Sequence, residues 1–210
     1  MDAHFTTQPM EYFVEENQSE AVGALSQYQS KTGFHFDRIR DTNPFAITAR
    51  DIVAVSMLSV DVPASVSVWL LEGKGAEVTS ELLGAMRPAD AKIWDDDVEL
   101  QKDSAAWKLW SEVDAQRGMG ATKTSKLLAA KRPHLLPVID DVVRDALFAG
   151  QRRADVERDY WDLWREVLRG PDGVELRNAV QEVRRDAGYD ESTSVLRIID
   201  IVVWSLNRKN

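Results

Sequence analysis

The chain has 210 residues, 44% hydrophobic and 29% charged, with a formal net charge of −9 and no cysteine. Without cysteine there can be no disulfide, Cys-ligated zinc or iron–sulfur cluster, and His4, His35 and His134 are too scattered to suggest a metal site. The acidic balance argues against a general polyanion binder, although binding responds to the local field rather than to the sum.

Strand signals are weak and helical periodicity is strong, so the sequence predicts an all-α fold of about nine or ten helices. Residues 1–18 are expected to be loosely ordered, with one helical domain over 19–210. The N-terminus lacks a basic start and an apolar run, so no signal peptide is expected. A first helix is predicted from Ser19 to Lys31, ending at Gly33. The run FHFDRIRDTNPFAI reads as an irregular connection. Thr48 opens the next helix, with Asp51 three residues on in a capping-box-like start. That helix stops before Pro63. Further helices are predicted over Ala64–Leu71 and Gly75–Met86.

DDDVELQKD is an acidic connection. Asp95, Asp96 and Asp97 could hold a hard cation or could be solvated loop acids. Ser104–Val113 is expected to form an amphipathic helix with Trp107 and Trp110 on one side. Gly118 and Gly120 make a tight turn. Helices follow over Thr122–Lys131, Asp140–Ala149, Arg153–Arg169, Val174–Ala187 and Thr193–Asn207. In the last, Val195, Ile198, Ile199, Val202, Val203 and Leu206 trace one apolar face. That segment, SVLRIIDIVVWSL, is too short to span a bilayer and carries Arg197 and Asp200, so it reads as a buried helix. The tryptophans at 107, 110, 161 and 164 have helical spacing, and core packing is the expectation for at least three. The dibasic pairs Arg152, Arg153 and Arg184, Arg185 read as surface salt-bridge partners. A cytoplasmic protein with no membrane partner and no cofactor is expected; the oligomeric state stays open.

One stretch stands apart. No acidic residue lies between Asp114 and Asp140. Two glycines two apart permit positive φ and leave backbone N–H groups uncovered. The helix N-terminus that follows adds partial positive charge, which suits a phosphate. Lys123, Lys126, Lys131 and Arg132 would deepen the attraction. The plain alternative is a tight helix–helix connection with a solvated lysine face. His134 could touch phosphate or have no role.

Eighteen residues past Thr122 comes Asp140, after Leu135-Leu136-Pro137-Val138-Ile139. Gly118, Gly120, Thr122, Asp140 and Arg144 together resemble the helix–hairpin–helix DNA glycosylases, the endonuclease III and adenine glycosylase superfamily. ITARDIVAVSMLSVDVP resembles that family's early helix and its turn, with Leu58, Ser59, Val60 and Asp61 at the turn. The resemblance spans about residues 44–150, with the hairpin and Asp-bearing helix at about 104–149. It implies a two-lobed all-helical fold that contacts DNA through backbone phosphates. It implies base excision by a monofunctional enzyme, for repair or for attack on modified foreign DNA such as that of phage. The family's attacking lysine falls at Thr122; only a one-residue insertion would give that role to Lys123. Arg144 lies four residues after Asp140 where the family's arginine lies five, and Asp61 stands where the family has an intercalating glutamine. The phosphate contacts implied are Gly118, Gly120, Thr122, Lys123, Lys126, Lys131, Arg132 and Arg144.

Asp140 would stabilise an oxocarbenium-like sugar or activate a water. As an N-cap alone it would contribute about 1 kcal/mol of helix stability. Asp141 is the alternate carboxylate, and its plain reading is a first-turn acid facing the helix dipole. Two other readings stay open. The fold could serve as a catalytically inactive module binding nucleic acid or protein, or the basic segment could dock on an acidic partner without any DNA role. The chain also resembles an uncharacterised bacterial domain family.

Overall fold

The computed structural model describes residues 9–86, 88–148 and 153–208, with side chains of 153–158 set aside. Among these residues there is no strand, and eleven α-helices carry the fold. In chain order they are α1 (Gln18–Tyr28), α2 (His35–Ile39), α3 (Ala49–Ser56), α4 (Ala64–Glu72), α5 (Lys74–Ala85), α6 (Ala105–Asp114), α7 (Ala121–Lys131), α8 (Asp141–Leu147), α9 (Arg153–Arg169), α10 (Gly173–Asp186) and α11 (Val195–Asn207).

The chain divides into two compact units. One comprises Thr32–Val138, hence α2 to α7. The other joins the residues through Lys31 to those from Ile139 onward, hence α1 and α8 to α11.

In the first unit, α3 packs on α2 and α7, and α5 packs on α4 and α6. The segment expected to be irregular contains α2. Phe36 explains it: the ring is buried with Ala54, Ala129, Ala130 and Val138, with Ile39, Met57 and Leu58 against them. Burying one such aromatic contributes about 1.5–3 kcal/mol, enough to fix a short helix of marginal intrinsic stability. At the head of α3 the Asp51 carboxylate accepts from the Thr48 N–H at 2.7 Å, as the spacing predicts. On α6 the buried stripe is Ala106, Leu109 and Val113, while Trp107 and Trp110 are half-buried beside it. Only Trp161 and Trp164 of the four spaced tryptophans are core residues. The small and aliphatic side chains of α6 let the helices approach closely, and the indoles cover the edges.

In the second unit, α11 is the central element, packed on α1, α8 and α10. It is the buried helix the sequence predicts: Val195 to Val203 are buried on every side, beyond the one apolar face the spacing traces. Arg197 and Asp200 are buried among them. This is tolerated because Arg197 bonds Asp200 and donates to the Tyr28 hydroxyl at 2.8 Å. Residues 9–17 are more ordered than expected. Pro9–Tyr12 and Glu15–Asn17 are 3-10 turns, with Phe13 buried between them. The Tyr12 hydroxyl accepts from Asn207 at 2.9 Å.

Candidate functional site

The turn joining α6 to α7 takes the backbone conformation its glycines allow. Gly118 has φ +90° and Gly120 has φ +76°. A side chain at Gly118 would meet Pro63 Cγ at 3.0 Å, so that glycine also permits close packing on the 58–63 turn. A Cβ at Gly120 would meet nothing within 4 Å. Gly120 therefore stands on an open face, and its need for glycine is conformational. Met119 is buried between them and its N–H donates to the Gln116 carbonyl at 3.0 Å, which anchors the turn.

Gly120 is the N-cap of α7 and offers no side chain to the helix. The first intrahelical bond comes from Thr124 to the Gly120 carbonyl. The N–H groups of Ala121, Thr122 and Lys123 precede it, and no acceptor among the described residues reaches them. Such a terminus carries roughly half a positive charge and three donors.

The cations behind this terminus differ in fate. Lys123 is half-buried and its Nζ donates to the Gly118 carbonyl at 2.8 Å, clasping the turn. Every residue from Thr124 to Lys131 is buried. Lys126 donates to the Leu58 carbonyl at 3.0 Å and so ties α7 to the turn where Ser59 adopts φ +61° and Asp61 is exposed. Lys131 pairs with Asp51 at 2.9 Å, neither side chain touching solvent. Arg132 donates to the carbonyls of Leu83, Met86 at 3.0 Å and Ala89 at 2.9 Å, and its guanidinium lies 5.4 Å from the Phe45 ring centroid. Burial lowers its pKa. The expected lysine-and-arginine grip is corrected here: Lys126, Lys131 and Arg132 face inward, because α7 is surrounded by protein. Four of the named contact residues, Gly118, Gly120, Thr122 and Lys123, share the open turn.

Asp140, Asp141 and Arg144 belong to the other unit, which the chain enters at Ile139. Asp140 is the N-cap of α8: Oδ1 accepts from the Val142 N–H at 2.9 Å. The residue is half-exposed, and Oδ2 accepts no bond among the described residues. Asp141 instead receives Arg144 at 2.5 Å, while the same guanidinium holds Asp145 at 2.7 Å. Burial pulls the Arg144 pKa down, but the hydrogen bonds it donates to Asp145 and the neighbouring Asp141 carboxylate outweigh it, and the net shift is upward. Arg144 is thus neutralised locally. Among the described residues, Asp140 is engaged as the cap of α8 and Asp141 is held by Arg144.

Residues that the sequence reading did not single out lie near Asp140. Tyr160, on α9, is fully buried, edge-on to Phe148 and to Trp164. Burial pushes its phenol pKa up, and the carboxylates of Asp200 and Asp140 push it further. A lone tyrosine in an amphipathic helix carries no sequence signal for this. Arg184, expected at the surface, is buried and reaches towards the Thr193 carbonyl at 3.5 Å. Arg152 lies outside the described residues, as does the Arg153 side chain. Asp95 accepts from the Lys92 N–H at 2.7 Å. No group of three metal-ligating side chains occurs among the described residues, nor is any described helix long and apolar enough to cross a membrane.

No curated protein and no solved structure matches the chain. A family model does, over residues 10–207, and the chain belongs to that family, described as a family of unknown function (DUF6308).

Proposed function

We propose that the protein is a monofunctional DNA glycosylase-like enzyme. It holds a DNA strand through backbone phosphates and hydrolyses the N-glycosidic bond of a damaged or modified base. The observation that carries this reading is the uncapped N-terminus of α7, opened by Gly120 at φ +76°, with nothing within 4 Å of where its Cβ would stand. Backbone amides, the Thr122 hydroxyl and Lys123 can meet a phosphate there. Such contacts position a strand and read no sequence.

The target base must leave the stack before chemistry on it. Water then adds its oxygen to the sugar C1′ as the C1′–N bond breaks. One proton leaves the water, and the departing base takes one up. The Asp140 carboxylate steadies the cationic sugar or receives the water's proton. Its second oxygen leaves that role open while the first caps α8. The absence of an amine at Thr122, with Lys123 engaged at the Gly118 carbonyl, favours hydrolysis over Schiff-base chemistry.

The inactive binding module is the second reading. The inward cations and the capping bond of Asp140 favour it. One experiment separates the two. The protein is incubated with DNAs carrying damaged, mismatched and phage-type modified bases, and abasic sites are revealed by hot alkali. Base release that vanishes in Asp140→Asn while DNA binding persists supports the enzyme. Binding without release on any substrate supports the module. No binding to any DNA at about 50 mM salt overturns both.

A further inference from the structure

A groove of about 750 Å³ crosses the unit that holds α10, bordered by residues 10–18 on one side and residues 171–182 on the other. It is independent of the α7 turn and of Asp140. Met10, Phe13, Pro171 and Ala179 give part of its lining an apolar character. Five large hydrophobic residues are exposed among those described, and two of them, Val14 at 38% and Val174 at 59%, line this groove. Two such side chains converging on one concavity mark an interaction surface rather than the scattered exposure usual on a soluble protein.

The rim is acidic. Glu15, Glu175 and Glu182 line it, and no lysine, arginine or histidine does. None of the three carboxylates has an ion pair among the described residues. Gln18 and Asn178 add amides that can bond a passing backbone or side chain.

These properties select the occupant. An open channel with valines this exposed cannot enclose a small molecule, which needs most of its surface buried. Nucleic acid is repelled by three exposed carboxylates, Glu15, Glu175 and Glu182. A second copy of this chain would bring another surface of net charge −9 against them. A partner segment with an apolar stripe flanked by cations satisfies both floor and rim. On α10, Glu175 and Glu182 are seven residues apart, two helical turns or about 10.5 Å. We infer that this groove docks a basic amphipathic helix of a partner protein, aliphatic side chains over Val14 and Val174, and lysines or arginines two turns apart against Glu175 and Glu182.

The test uses the full chain, labelled with ¹⁵N, and a synthetic amphipathic peptide with leucines on one face and lysines two turns apart. Controls are the same peptide with glutamate for lysine, and a scrambled peptide of equal composition. The expected result is shift changes confined to residues 10–18 and 171–182, weakening with salt. Affinity should fall by about tenfold in Glu175→Lys with Glu182→Lys, and should be lost in Val174→Ser. These positions are exposed, so an unchanged unfolding midpoint verifies the fold of each variant. Shifts elsewhere, equal binding of either control peptide, or no binding overturn the inference. So does a concentration-dependent dimer that protects the groove residues.

Discussion

Lys131, at the end of α7, donates to Asp51, in the first turn of α3, across 2.9 Å, and neither side chain reaches water. Asp51 also accepts the N–H groups of Thr48 and Asp41. The pair therefore fastens the helix behind the glycine turn to the start of another helix, and the backbone amides complete the carboxylate's coordination. A buried pair of this kind adds little over an apolar pair, but removing one partner strands the other. Lys131→Met is expected to cost about 3–5 kcal/mol in urea unfolding. Adding Asp51→Asn should recover part of that loss, because the stranded charge is gone while a side-chain oxygen remains for the amides. Equal losses in the single and double variants would show that the charge pairing is immaterial.

Lys123 and Lys126 are three residues apart yet predict different phenotypes. Lys123 bonds the Gly118 carbonyl from a part-exposed position. Lys123→Ala should change stability by no more than about 0.5 kcal/mol; the proposed DNA contact through the turn further expects it to lower DNA affinity severalfold, with a shallower salt dependence. Lys126 is buried and holds the Leu58 carbonyl. Lys126→Ala should cost about 1–3 kcal/mol through the unsatisfied acceptor, and its effect on binding should follow the loss of fold. Reduced affinity from Lys126→Ala with unaltered stability would refute the inward assignment.

The contrast explains how far the sequence could be read. Helix positions were legible because caps and periodicity are local: Ser104, Asp140 and Ser194 each accept a backbone N–H at the head of α6, α8 and α11. The use of the cations was not. Charge counted along residues 117–132 says nothing about direction, and the partners of Lys131 and Arg132 lie 80 and up to 49 residues away. A usable signal was present in Ser125 to Lys131, where Leu127, Leu128, Ala129 and Ala130 leave α7 no continuous polar face. A helix buried all round must turn its lysines onto carbonyls or carboxylates. Asp140 was legible as a cap, and its spare oxygen was not. The groove at Val14 and Val174 escaped because its two walls are about 160 residues apart in sequence, beyond any local pattern.

The two glycines make separable predictions. Gly120→Ala meets no neighbour, so its cost is the backbone alone: φ +76° with ψ 167° is a conformation nearly reserved to glycine, and holding alanine there costs about 1–3 kcal/mol. Gly118→Ala meets a positive φ of its own, +90°, and also presses on Pro63 at 3.0 Å. Pro63→Ala should therefore relieve part of the loss caused by Gly118→Ala in thermal unfolding, and none of that caused by Gly120→Ala. The proposed phosphate contact expects Gly120→Ala to lose DNA affinity, since its methyl group would stand at the open mouth of the α7 terminus.

Asp140 can be tested as a cap apart from any chemistry. Asparagine caps a helix about as well as aspartate, and alanine costs about 1 kcal/mol. Asp140→Asn should leave the unfolding midpoint nearly unchanged, and Asp140→Ala should lower stability by that amount. Loss of base release in the asparagine variant would then report chemistry rather than folding. Asp141→Asn removes one of two carboxylates on Arg144, so the enzyme reading expects it to retain base release.

Tyr160 supplies a pH prediction with a definite sign. Its folded pKa is raised above the ordinary value of 10.0, first by burial, with the Asp200 and Asp140 carboxylates adding to the shift. Above about pH 10 the unfolded chain releases this proton before the folded one does. The unfolded state then binds fewer protons, and stability falls as pH rises. The contribution of Tyr160 is thus fully present below pH 10 and is lost as pH rises through the folded value. Tyr160→Phe has no such proton to lose, so its stability should decline less between neutral and strongly alkaline pH than that of the parent. In the folded protein, Tyr160→Phe should leave the tyrosinate absorbance gained around pH 10 unchanged, because Tyr160 ionises above that range. Parallel alkaline declines in parent and variant would mean that the phenol ionises freely in place, and would remove Tyr160 from the buried polar group beside Asp140.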